Sequence, residues 1–168
     1  HPIYGYYIKE PVFGINGDFT TSPEISQMFG ELLAFSILQS WIDQGSPSKI
    51  ILAELGPGRG TMMADILRTL KIHPDFLNAT EIHLIEASSN LRSEQKKTLS
   101  EFNIFWHNEL PSFDEKPLFL IANEFFDALP IDQFLRQGNN FFKRTVQFLN
   151  NNLTYGLEKK PTIDKALE

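Results

Sequence analysis

The chain contains no cysteine. Disulfides, thiolate nucleophiles and zinc–thiolate sites are thereby excluded, and the absence fits a reducing compartment. No apolar run comes near the roughly 18 to 20 residues that a helical bilayer span requires, so no membrane insertion is expected. Lysine and arginine total 15 against 21 acidic residues, for a net charge of -6, and the basic residues form no block. Nucleic acid is therefore not an expected partner. The charge suits a basic partner, and it equally serves solubility alone. Internal repeats and low-complexity tracts are also missing, as is any His-x-x-x-His pair or carboxylate cluster that would hold a metal. The opening HPIYGYYIKEP lacks the charged start and apolar core of a signal peptide. No methionine precedes it, so the chain is expected to start partway into a longer protein.

What is present is an ordinary globular composition: 168 residues, 42% hydrophobic and 21% charged, enough for one domain with a real core. Residues 1–22, rich in Gly, Pro, Tyr and Thr, read as an irregular lead-in. A helix is expected over 23–44. Ser22 or Thr21 would cap it with Pro23 at the first helical position, and Gly45-Ser46-Pro47 would stop it. A core over 48–130 follows in a βαβα rhythm. Its strands are expected at Ile50–Ala53, Ile82–Ile85, Ile104–Trp106 and Leu118–Ala122, and its helices at Thr61–Lys71, which His73-Pro74 breaks, and Ser88–Glu101, with Leu91 and Leu99 inward. Such alternation predicts an α/β fold with a parallel sheet. Leu118–Ala122 is apolar enough to read as an internal strand. Over 131–157 the pattern turns β-rich, with Gly138-Asn139-Asn140 and Asn150-Asn151-Asn152 as hairpin turns. The whole, 1–168, reads as a single partial domain, since only one half of a doubly wound sheet is visible.

Between the first strand and the next helix stands Glu54-Leu55-Gly56-Pro57-Gly58-Arg59-Gly60-Thr61. Glycines there permit a tight turn and close ligand approach, while the helix behind presents free N–H groups and its positive dipole end. Glu86 ends the second strand, where a carboxylate can grip both ribose hydroxyls. Thr61 stands where a P-loop needs its second glycine and where the NAD fingerprint needs its third, so neither pattern is met in full. The remaining G-x-G-x-G, preceded by Glu54, looks like the first motif of class I S-adenosylmethionine-dependent methyltransferases.

The resemblance sharpens elsewhere. Gly5-Tyr6-Tyr7, the stretch Gly17-Asp18-Phe19-Thr20-Thr21-Ser22-Pro23-Glu24-Ile25-Ser26 followed by Phe29-Gly30-Glu31, the ELGPGRGT loop, and Asn123-Glu124-Phe125-Phe126-Asp127-Ala128-Leu129-Pro130 stand in order along the chain. Together they resemble the methyltransferase family that includes the mitochondrial complex I assembly factor acting as a protein arginine methyltransferase. The resemblance implies a Rossmann-like fold that binds S-adenosyl-L-methionine and a protein substrate, for mitochondrial members an arginine of a respiratory-complex subunit. Mitochondrial matrix and bacterial cytoplasm are both compatible compartments. The chain departs from the family in length: the resemblance implies an N-terminal lead, and a C-terminal part supplying further strands and part of the substrate wall, that are not in it.

On this basis the expected cofactor-binding residues are Glu54, Gly56, Gly58, Gly60, Glu86, Asn108 beside the adenine, and Asp18 closing over the site. The expected catalytic residues are Glu124 and Asp127, which would orient a guanidinium by bidentate pairing, with Asn123 near the methyl-transfer axis. Glu124 and Asp127 equally fit a capped turn into a helix. Asn108 equally fits a loop cap, and Phe125 and Phe126 fit the core. Two rival functions stand beside the methyltransferase: a nicotinamide-dependent oxidoreductase and a non-catalytic assembly module that keeps the fold.

Overall fold

The computed structural model describes residues 26–113 and 116–162. The expected lead-in, the cap at Thr21 or Ser22, and Asp18 lie outside the described residues. The chain divides into two compact units, one ending at Phe125 and the other starting at Phe126.

In the first unit, α1 (Gln27–Asp43) ends where Gly45 turns left-handed at φ 82. The Gly45 N–H closes back on the Ile42 carbonyl and the Ser46 N–H on that of Trp41, so the last carbonyls are satisfied. Strand β1 (Ile50–Leu55) is buried along its whole length, as an apolar strand flanked on both sides must be. After it come α2 (Thr61–Leu70), α3 (Pro74–Ala79), β2 (Thr80–Ile85), α4 (Ser89–Thr98), β3 (Ile104–His107) and β4 (Leu118–Ile121). The four strands are parallel in the order β3-β2-β1-β4.

Side chains alternate across β1. Ile50 and Leu52 join the main core with Ala34, Ile37 and Trp41 of α1, Met63 and Ile66 of α2, and Phe76 of α3. Ile51, Ala53 and Leu55 form a smaller cluster on the other face with Ile85, Phe113 and Phe125. Helix α1 crosses α2 closely because Gly30 has no side chain. A Cβ there would stand 2.7 Å from Asp65 Cβ and 3.3 Å from the Met62 carbonyl oxygen. Gly30→Ala should therefore lower the midpoint in a urea melt. The overpacking cost of about 1–3 kcal/mol exceeds the helix-propensity gain of about 1 kcal/mol, and an unchanged midpoint would mean that the helices can separate freely.

Three differences from the sequence reading have physical causes. His73-Pro74 ends one helix but starts another, since Pro74 occupies the first turn of α3, where its missing N–H costs nothing. Helix α4 is shorter than expected, and its inward face reads Leu91, Gln95, Leu99, with Gln95 wholly buried. Among the described residues strand β4 stands at the end of the sheet and not inside it, and Leu118 and Leu120 are 42% and 44% exposed. Leu118 and Leu120 share one face of the sheet, and their exposure shows that this face lacks cover at β4 among the described residues, whereas Ile121 on the other face is buried.

The second unit is a three-stranded antiparallel sheet, β5 (Phe134–Gln137), β6 (Asn140–Leu149) and β7 (Asn152–Leu157). Asn150 and Asn151 both take left-handed angles, φ 51 and φ 62, as a two-residue hairpin loop matched to strand twist demands.

Candidate functional site

Leu55 pairs with Ile85, and Ile85 with His107. Gly56, Glu86 and Asn108 therefore leave the sheet side by side. The ladder runs one rung further: the Gly56 N–H donates to the Ile85 carbonyl at 3.0 Å, and the Glu86 N–H to that of His107 at 2.9 Å. Strand β4 runs the same way, so Asn123 and Glu124 emerge at the same carboxyl edge. This is where open parallel sheets place their ligands.

All three loop glycines are left-handed: Gly56 at φ 59, Gly58 at φ 54, Gly60 at φ 82. An L-residue would pay about 1–2 kcal/mol at each. Their surroundings differ. A Cβ on Gly56 would stand 2.6 Å from Phe125 Cδ2, so the ring after β4 lies directly on the loop. A Cβ on Gly58 would meet nothing within 4 Å, while one on Gly60 would reach Gln95 Cγ and Leu99 Cδ1 at 3.4 Å. The loop is thus backed at both ends and open at its middle.

Glu54 is 2% exposed, and its Oε2 is buried without a hydrogen-bond partner. Burial raises its pKa from the usual carboxylate range to about 8. Half-buried Glu86 is also raised, first by burial; hydrogen bonds from the Ser88 backbone and Gln95 and the charge of Arg92 oppose the shift. Its Oε1 accepts from the Ser88 N–H at 2.7 Å, which fixes the carboxylate at the strand end.

Helix α4 supplies two residues that the sequence reading missed. Gln95 donates from Nε2 to the Gly58 carbonyl at 2.7 Å and accepts from Trp106 Nε1 at 3.0 Å. Arg92 donates from Nε to the Glu86 carbonyl at 2.6 Å and from Nη2 to Asn108 Oδ1 at 2.7 Å. The available signal was the spacing Leu91, Gln95, Leu99, which sets a polar residue on the inward stripe.

Glu124 is exposed and held at φ 48, a rare conformation for a residue with a long side chain. Phe125 is half-buried and packs on the smaller core cluster. In the second unit, Asp127 lies within a single 3-10 turn, Phe126–Ala128, and is exposed. His83 and His107 stack with ring centroids 5.1 Å apart, and Nδ1 of the first lies 2.9 Å from Nε2 of the second. Among the described residues no group of three or more His, Cys, Asp or Glu is placed to hold a metal, and no helix is long and apolar enough to cross a membrane.

Residues 32–168 match the model of a protein family described as "Putative S-adenosyl-L-methionine-dependent methyltransferase". The chain belongs to this methyltransferase family. Similar relatives are the mitochondrial protein arginine methyltransferase NDUFAF7 of Danio rerio, 34% identical across 97% of this chain, and that of Homo sapiens, 36% identical across 80%. The Drosophila melanogaster homologue is 38% identical across 78%. The chain spans 45%, 36% and 35% of these relatives, less than half of each. A Burkholderia thailandensis protein crystallised with S-adenosyl-homocysteine shares the fold, with a TM-score of 0.66 and 23% identity over 94% of this chain and 41% of that one. A native crystal structure from the same organism gives a TM-score of 0.60 at 24% identity. The expected Rossmann-like methyltransferase fold is thus observed in the first unit, with the hairpin sheet in the second.

Proposed function

We propose that the chain forms the cofactor-binding part of a methyltransferase that uses S-adenosyl-L-methionine to methylate a protein, at an arginine nitrogen. The observation that carries the reading is the alignment of Gly56, Glu86, Asn108 and the Asn123-Glu124 pair at one sheet edge, beside a glycine loop that is open at Gly58. The residues fit such a cofactor. Glu86 can accept from two ribose hydroxyls, the loop leaves room for the amino-acid end, and the orphaned oxygen of Glu54 answers a cation. When bound, the cofactor supplies an electrophilic methyl group on a sulfonium.

The protein's own part is positioning and exclusion of water. In this reading Glu124 orients the acceptor guanidinium by paired hydrogen bonds, and Asn123 stands near the transfer axis. Asp127, three positions on in the sequence, is assigned to the same acceptor, and Asp18 to closure over the cofactor. The relatives' names support an arginine acceptor and, for eukaryotic members, a mitochondrial setting.

Calorimetric titration of the full-length protein with S-adenosylhomocysteine and with NAD tests the reading. S-adenosylhomocysteine should bind more tightly than NAD, and Gly58→Val should weaken it by about 100-fold or more, because a branched side chain is strained at φ 54 and fills the open middle of the loop. Tighter binding of NAD would replace the reading with a nicotinamide enzyme. Cofactor binding without methylation of any protein in a cell lysate would leave a non-catalytic module.

A further inference from the structure

Glu86, Asn108 and the glycine loop arise from three separate stretches of chain, so their mutual placement needs ties beyond each strand end. All three are tied to one helix. Arg92 and Gln95 stand one turn apart on α4, so their side chains rise from one face. Arg92 spans the ends of β2 and β3, from the Glu86 carbonyl to the Asn108 side chain. A guanidinium only donates, so Arg92 also fixes which end of the Asn108 amide is the acceptor. Gln95 spans the glycine loop and β3, from the Gly58 carbonyl to the Trp106 indole. It is wholly buried, so each bond it loses leaves a polar group stranded away from water. The carbonyl it holds belongs to the glycine that faces open space.

We propose that Arg92 and Gln95 are positioning residues with divided labour. Gln95 sets the loop for the amino-acid end of the cofactor and also reaches Glu86, while Arg92 acts on the strand ends at its nucleoside end alone. The inference rests on the cofactor reading above. It adds that α4, which touches no substrate in this scheme, determines the geometry of both halves.

The division gives a test that general loss of stability would not reproduce. The full chain and its variants are titrated with two probes, S-adenosylhomocysteine and adenosine. Gln95→Met should weaken S-adenosylhomocysteine about tenfold or more and adenosine by a smaller factor of about three, since adenosine loses only the bond to Glu86 while S-adenosylhomocysteine also loses the set loop. Arg92→Met should weaken both probes by a similar factor, about tenfold. Gln95→Leu likewise removes the amide donor to Gly58 without adding a charge, so it serves where Gln95→Met does not fold and should show the same split.

Trp106 provides a second measurement. Its emission should change on addition of S-adenosylhomocysteine through the Gln95 bond, and that change should vanish in Trp106→Phe. Equal losses for both probes in the Gln95 variants, no loss in either, or a Trp106 emission indifferent to S-adenosylhomocysteine would overturn the proposal. A wild-type chain that binds neither probe would instead overturn the cofactor reading itself.

Discussion

Glu54→Gln will make the protein markedly more stable at alkaline pH while leaving it almost unchanged near pH 4. Glu54 stands near the end of β1, two residues before the first loop glycine, 2% exposed, with Oε2 unpaired and its pKa raised to about 8. In the unfolded chain the same carboxyl ionises at 4.5. Between these values the folded state holds a proton that the unfolded state has released. Stability is then fully present below pH 4.5 and falls as pH rises towards 8. At about 1.4 kcal/mol for each pH unit, the loss approaches 5 kcal/mol at its upper bound. Glutamine has the shape of the protonated acid and does not ionise, so the variant escapes the loss. The gap between the two proteins should open from pH 5, reach about 3 kcal/mol at pH 7, and flatten above pH 8.5. For a chain of 168 residues each kcal/mol moves the melting midpoint by about 2–4 °C. Midpoints compared at intervals from pH 4 to pH 9 would reveal the divergence. Parallel curves would mean that Glu54 has a partner or water that keeps it ionised.

In the proposed cofactor reading the cost of the buried acid has a counterpart. A positive group brought beside Glu54 would favour its charged form, so binding would offset part of the cost of burying it.

The glycine loop was legible because each glycine stands where L-residues are strained, and Glu86 because the end of an apolar strand marks the carboxyl edge of a parallel sheet. The β6–β7 turn was legible because an Asn-Asn pair tolerates two left-handed angles in a row, and the β5–β6 turn because Gly138 takes the one left-handed angle at its loop. Gln95 was not legible in the same way. Its importance comes from partners 37 residues back and 11 residues on, and periodicity says only that a side chain faces inward, not what it meets there. Arg92 reads as one more charge on a polar helix until the register of β2 and β3 brings Glu86 and Asn108 together. The exposure of β4 was illegible for a related reason. Strand composition records what a strand is suited to touch and carries no information about which neighbour is present.

Glu124→Asn should separate activity from stability in opposite directions. Glu124 is held at φ 48 three residues after the end of β4. That conformation costs a glutamate about 1 kcal/mol, whereas asparagine adopts it readily. Folding stability should therefore stay level or rise by about 0.5–1 kcal/mol. S-adenosylhomocysteine should bind within about twofold of wild type, because in the proposed scheme Glu124 faces the acceptor and not the cofactor. Methyl transfer should fall by about 100-fold or more, since the shorter amide can neither reach the same place nor pair with a guanidinium through two anionic oxygens. Labelled methyl incorporation into protein of a lysate depleted of the native enzyme gives the rate, and a urea melt gives the stability. Full transfer by the variant would remove Glu124 from the reaction. A loss of stability above about 1 kcal/mol would show that the left-handed turn is held by contacts of the glutamate side chain and is structural. A variant that folds as well, binds the cofactor as well and transfers almost nothing would mean that the strained backbone serves to aim a carboxylate at the acceptor.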